Sequence, residues 1–203
     1  MRQWLYPVYN ACISVEFSFL LRPSSFLENK YNHKKMKNKI LLRAMEPEDL
    51  ELLYQIENNP ALWKVGVTNV PYSRYLLRDY LARATGDIFT DRQVRLVVEN
   101  EEGTAIGLID MMNYEPQHHR AEVGIVIREP YRHQGLGAAA LEQLKQYARE
   151  IIHIHQLFAY VDTANEESLR LFQKAGFQRT AILNDWLFDG QDYHPVCLMQ
   201  LFF

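Results

Sequence analysis

The sequence predicts an α+β domain built on a mixed sheet of about seven strands. Three observations predict it. Residues 93–127 read as three sequential antiparallel strands, 93–100, 105–112 and 120–127, with Glu101-Glu102-Gly103 turning the first hairpin. The third of these strands runs through a glycine-bearing turn into a long helix and then another strand at Gln156, which is one clear crossover unit. Two helical stretches separate the first strand from the second, so the pattern is not the repeated strand–helix alternation of a doubly wound sheet.

The composition excludes several classes of function. A chain of 203 residues, 48% hydrophobic and 23% charged with net charge −3, fits one domain with an ample core and at most a tail. That near-neutral balance gives no basis for nucleic-acid binding. The apolar run 11–21 is too short to span a membrane and is interrupted by Glu16. Neither flank suits a signal peptide. Cys12 and Cys197 are too few for a disulfide framework and lack metal-ligand spacing, so a reducing, cytoplasmic setting is expected. Residues 1–35 do not share the character of the rest and end in the basic, polar run 29–35. We read them as a poorly ordered N-terminal extension before a domain at 36–203, with a loosely docked arm as the alternative.

In chain order, Lys39–Arg43 is a short strand. Pro47 opens a helix with Glu46, Glu48 and Asp49 around its first turn, and Asn58-Asn59-Pro60 ends it. Ser73 caps a second helix reaching Ala84, with Leu76, Leu77, Tyr80 and Leu81 on one face. After the hairpin, a polar loop from Glu115 to His119 leads into the strand Arg120–Ile127. His118 and His119 are neighbours in the chain and would point to opposite sides, so they do not make a metal pair. The helix from Ala138 to Glu150 carries Leu141, Leu144 and Ala148 at i, i+3 and i+7. A strand follows at 156–162. Next comes a helix capped by Asn165 and ended by Gly176, and finally two strands, from Gln178 and from Tyr193, around the turn Asp189-Gly190.

The chemistry concentrates between strand and helix, in Arg132-His133-Gln134-Gly135-Leu136-Gly137-Ala138. A helix N-terminus offers backbone N–H groups without partners and the positive end of the macrodipole, which suits phosphate. The segment lacks the Lys-Ser or Lys-Thr of a nucleoside-triphosphate loop. It satisfies the spacing G-x-G-x-x-A, but five residues separate the strand from the first glycine, which a dinucleotide fingerprint does not allow. The remaining reading is a pyrophosphate loop of the form R-x-x-G-x-G.

That form resembles the coenzyme A loop of the GNAT superfamily of N-acetyltransferases. Asn165-x-x-Ser-x-x-Leu-Phe-x-Lys-Ala-Gly-Phe resembles a second segment of the same superfamily, about 30 residues on and in the right order. Within it, Leu42-Arg-x-x-Glu-x-Glu-Asp-Leu, Asn58-Asn59, Arg120-Ala-Glu and Asp189-Gly-Gln-Asp-Tyr are similar to spermidine and ribosomal-protein alanine acetyltransferases. The resemblance covers residues 39–202. It implies a sheet with helices on both faces that splays between 120–127 and 156–161, with the pantetheine arm of acetyl-CoA in the opening. It also implies direct transfer of acetyl to a primary amine, such as a polyamine, with no resident metal. Alternatives are a protein N-terminal acetyltransferase and a non-catalytic acyl-CoA-binding module. A homo-oligomer is left open.

The resemblance also implies site residues. Backbone groups of Ile125, Val126 and Ile127 would pair with pantetheine, and the N–H groups of 132–138 would hold the pyrophosphate. Asn165 would touch the cofactor, unless capping alone explains it. Glu122 stands where some members carry the carboxylate that acts on the amine; the competing reading is an ion pair with Arg120. Phe172 stands against the cofactor where relatives usually carry a tyrosine, so its ring keeps the packing and loses the proton donor. Tyr160, Tyr131 and Ser168 are the substitutes considered. The stretch 67–73 lacks the acidic cluster of the spermidine enzymes.

Overall fold

The computed structural model describes residues 39–63 and 70–203. The expected extension 1–35, Cys12 with it, and the first residues of the stretch 67–73 lie outside that range. In chain order the elements are β1 (Ile40–Ala44), a 3-10 turn (Pro47–Asp49), α1 (Leu50–Glu57), α2 (Pro60–Trp63), α3 (Arg74–Arg83), α4 (Ile88–Asp91), β2 (Val94–Asn100) and β3 (Ala105–Glu115). There follow β4 (Arg120–Ile127), a 3-10 turn (Glu129–Tyr131), α5 (Leu136–Glu150), β5 (Gln156–Asp162), α6 (Glu166–Lys174), β6 (Gln178–Phe188) and β7 (Tyr193–Phe202). All seven expected strands are present. The short helices α2 and α4 carry too few residues to show a period and were not legible.

The sheet runs β1-β2-β3-β4-β5-β7-β6, antiparallel throughout except between β4 and β5. It is an open α+β sheet with helices on both faces, as expected. Alternation along the strands sorts the core into two layers. Val98, Ile109, Ala121, Val123 and Leu157 face α5, whose Leu141, Leu144 and Ala148 are fully enclosed. Val97 and Leu108 face the other way, against Leu52 and Leu53 of α1 and Leu77 of α3. The expected apolar face of α3 is narrower than its sequence suggests: Leu77 is buried, but among the described residues none covers Leu76, which is exposed.

Two ion-pair clusters tie the first helices to the sheet. Arg43 of β1 forms a bidentate pair with Asp49 (2.7 and 2.9 Å) and also reaches Glu99 of β2 at 2.6 Å. The Asp49 carboxylate accepts the Glu46 N–H as well, which closes the first turn and holds its pKa below the usual range against the cost of burial. Arg95 of β2 bridges Glu57 at the end of α1 and Asp110 of β3. No helix among the described residues is long and apolar enough to cross a membrane.

The fold depends most on the buried stripe of α5. Leu144→Ala is expected to lower unfolding free energy by about 2–5 kcal/mol, the range for opening a cavity in a closed core. Chemical denaturation should show this as a lower midpoint with an unchanged slope.

Candidate functional site

The parallel pairing of β4 and β5 is short. It joins Arg120, Ala121 and Glu122 to Gln156, Leu157 and Phe158, and ends there. Beyond this fork β5 follows β7 through Asp162 while β4 stays with β3 through Ile127, so the two strands part. The splay expected between 120–127 and 156–161 is present. Among the described residues, no strand lies beside the backbone groups of β4 that would otherwise pair with β5.

Which residues offer those groups follows from alternation. Arg128 N–H donates to Ile106 of β3 at 2.8 Å, and the Val126 carbonyl lies so close to Gly107 that a Cβ there would collide with it. Val126 therefore turns its backbone to β3. Ile125 and Ile127 turn theirs toward the opening, where the Ile127 carbonyl accepts the Arg132 Nε–H at 2.9 Å. Of the three β4 residues expected to meet pantetheine, the structure brings two to the opening.

The segment 132–138, expected to hold a pyrophosphate, forms the loop after β4 and the first turn of α5. His133 (φ 60°) and Gly135 (φ 79°) are both left-handed, which turns the chain tightly just before α5. The N-cap residue of α5 is Gly135, which has no side chain to cap it, so the N–H groups of Leu136, Gly137 and Ala138 have no acceptor within the helix. Arg132, His133 and Gln134 line the loop's exposed side, and His133 lies 3.7 Å from Glu167 of α6. Gly137 serves a different purpose from Gly135. Its φ is ordinary, and a Cβ there would point at Leu171 and Ile127 at 3.5 and 3.6 Å. Both distances are ordinary van der Waals contacts, so a small side chain fits there between α5, β4 and α6.

On α6, the Asn165 side chain accepts the Ser168 N–H at 3.0 Å, so capping occupies its oxygen. Its amide nitrogen has no partner among the described residues. Phe172 is 4% exposed and meets Phe177 edge-on, with ring centroids 5.0 Å apart, inside the α5 core. Tyr131 packs against the same core from the turn after β4, and Ser168 is half-buried on α6.

The opposite face of the fork is where titratable groups gather. Glu122, Phe158 and Tyr160 share a cavity of about 540 Å³ with Arg92, Asn113 and Arg120. Glu122 does not pair with Arg120, which instead gives both bonds of its Nη2 to Glu115 at 2.8 and 2.9 Å. Glu122 accepts from Asn113 Nδ2 at 2.7 Å. Burial raises its pKa and the Asn113 bond opposes that only in part, so the carboxylate is desolvated without a cation to hold it. Tyr160 stacks on Trp186 (5.4 Å, 28°) and meets Phe158 edge-on. Burial and the nearby Glu122 charge both raise its pKa, so its hydroxyl keeps its proton. Asn113 and Arg92 were not singled out from sequence. Asn113 sits at positive φ in a register shift between Met112 and Glu115, which no residue pattern announces.

Comparison with known proteins places this geometry. The acetyltransferase (GNAT) domain family matches residues 39–178. The spermidine N(1)-acetyltransferase of Escherichia coli (strain K12) is 27% identical over 165 residues, covering 79% of this chain and 86% of that protein. A putative ribosomal N-acetyltransferase of Bacillus subtilis is 24% identical over 171 residues, covering 82% and 93%. The crystal structure of spermidine N-acetyltransferase from Vibrio cholerae in complex with CoA and spermine has the same fold: its TM-score is 0.72 at 24% identity, over 80% of this chain and 95% of that one.

Gly135 offers the simplest test of the loop. Gly135→Ala should cost about 1–2 kcal/mol, because φ 79° burdens any Cβ, and should weaken acetyl-CoA binding in calorimetry. Gly137→Ala, whose Cβ meets only ordinary contacts, should leave stability much nearer the parent's.

Proposed function

The chain belongs to the GNAT acetyltransferase family, whose members take acetyl from acetyl-CoA, and from that premise we propose that it acetylates a small primary amine seated beside Glu122. One observation carries the reading: a desolvated carboxylate with no cation partner stands at the fork where the strands open toward an uncapped helix N-terminus. Spermidine comes from the name of the Escherichia coli relative, and a protein N-terminus from that of the Bacillus subtilis one.

In this reading the N–H groups of 135–138, with Arg132, hold the pyrophosphate. Ile125 and Ile127 pair with the pantetheine amides as an added strand would, and the β4 backbone polarises the thioester carbonyl. An ammonium cannot attack, so Glu122 takes a proton from the amine, directly or through water. The amine nitrogen then bonds to the carbonyl carbon, the carbon–sulfur bond breaks, and the thiolate takes a proton. Phe172 has no hydroxyl to give. Tyr160, protonated and on the same face as Glu122, supplies it and regains its own from the Glu122 side. The exposed Ile182, Trp186 and Phe188 of the edge strand β6 support a homo-oligomer, and the shortage of cysteines supports a cytoplasmic setting.

Thiol release from acetyl-CoA with a panel of amines and N-terminal peptides tests the assignment. Turnover with none of them would leave the non-catalytic module as the answer. Glu122→Gln should lower kcat/KM by about 10²-fold or more. Because burial raises the Glu122 pKa, the parent's acid limb should lie above the ordinary carboxylate range; in Glu122→Gln only the limb set by the acceptor's own ammonium should remain. Tyr160→Phe should slow kcat by roughly tenfold or more at unchanged acetyl-CoA affinity. A Tyr160→Phe enzyme as fast as the parent would remove Tyr160 from the proton path.

A further inference from the structure

The acceptor side of the fork continues past Glu122. A second cavity of about 490 Å³ adjoins the first and shares Arg92, Tyr114 and Glu115 with it, so the two form one groove ending at Gln117 and His118. The charges in this groove do not suit a polycation. Glu115 is already occupied by Arg120 and lies 4.0 Å from His118. Among the described residues, Glu122 has no salt bridge, and the Arg92 guanidinium has no hydrogen bond or ion pair. One anion and one cation therefore face the same space, each without a charged partner.

Their spacing is set by backbone. Consecutive residues of β3 hold both: the Tyr114 N–H donates to the Arg92 carbonyl at 3.0 Å, and Asn113 Nδ2 donates to Glu122 at 2.7 Å. Arg92, just before β2, thus lies two strands from Glu122, or roughly 10 Å between backbones at about 4.8 Å per strand. Arg92 is also in the left-handed region (φ 57°) at the end of α4, a conformation uncommon for a residue with a Cβ. Its stem starts from a fixed point, and the residue lines both cavities.

We propose that the acceptor is a zwitterionic amine, an amino-acid-like molecule whose ammonium meets Glu122 and whose carboxylate is held by Arg92. This deepens the transferase reading and rests on it. A guanidinium binds a carboxylate through paired N–H donors, so Arg92 sets both affinity and orientation. A second ammonium placed there meets a like charge instead.

The test compares three four-carbon acceptors, butylamine, 1,4-diaminobutane and 4-aminobutyrate, with the longer spermidine and 6-aminohexanoate, each read as kcat/KM by thiol release. The parent should favour one of the amino carboxylates over butylamine and over the diamine by about tenfold or more. Arg92→Glu should invert the ratio of amino carboxylate to diamine, through KM. A parent that prefers spermidine, or an Arg92→Glu enzyme with the parent's ratio, would overturn the proposal and leave the transferase reading standing. If no amine is turned over, the transferase reading itself fails. Calorimetry of 6-aminohexanoate in the presence of CoA then decides: binding by the parent that Arg92→Glu abolishes supports the Arg92 site, and equal or absent binding refutes it.

Discussion

Three residue pairs join the two halves of this sheet, and the functional geometry depends on their being only three. Arg120, Ala121 and Glu122 pair with Gln156, Leu157 and Phe158. Just before them, the His119 carbonyl accepts the N–H groups of both His155 and Gln156, at 2.7 and 3.1 Å. This closed end works as a seam. Past it, β5 satisfies its backbone through β7 and β4 through β3, so neither strand needs the other. The opening costs little because only one side of each strand is left to solvent or ligand. Beneath it, the enclosed Leu141, Leu144 and Ala148 of α5 keep a single core across both halves.

The same seam decides what kind of carboxylate Glu122 is. As the last residue of β4 that pairs with β5, it has a fixed backbone, and its side chain lies on the face that α5 does not cover. Arg120, two residues earlier on that face, could have neutralised it, but Glu115 engages Arg120 first across the bulged end of the β3–β4 hairpin. Glu122 is left with the neutral donor Asn113. A carboxylate paired with arginine has a depressed pKa and makes a poor base; one that is desolvated and held by an amide has a raised pKa. The hairpin irregularity therefore reaches the proposed base through charge, not through contact with the reaction.

Much of this was legible in the sequence because it rests on local rules. The period of Leu141, Leu144 and Ala148 fixes the buried face of α5. Ser73 and Asn165 cap the helices they precede, and Gly176 (φ 96°) ends α6 in the left-handed form. The strand–loop–helix around Gly135 is local too. What was not legible depends on contacts between distant segments. The partner of Glu122 lies nine residues away, at a bulge that shifts register. Arg92 ends a four-residue helix and reads as an ordinary surface residue. Gly137 belongs to the loop's glycine pattern, yet a Cβ there would make ordinary contacts with Leu171 and Ile127, which only the packing of α6 beside α5 brings near. Leu76 matched the apolar face of α3 and is nonetheless exposed.

Phe172 and Tyr160 show how position on the sheet separates packing from chemistry. Phe172 lies on the α5 side, enclosed with Phe177, where a hydroxyl would need a partner that an apolar core does not supply. Tyr160 lies on the other face, two residues past the last position at which β5 pairs with β4, with its ring held by Trp186 and Phe158. Orientation there is held by aromatic contacts and not by a hydrogen bond, which leaves the hydroxyl uncommitted. Burial and the nearby Glu122 charge raise the Tyr160 pKa, so its hydroxyl carries a proton beside a carboxylate that can accept one. A pair of that kind suits a reaction in which one proton must leave the amine and one must reach the thiolate, because both transfers start from the same face.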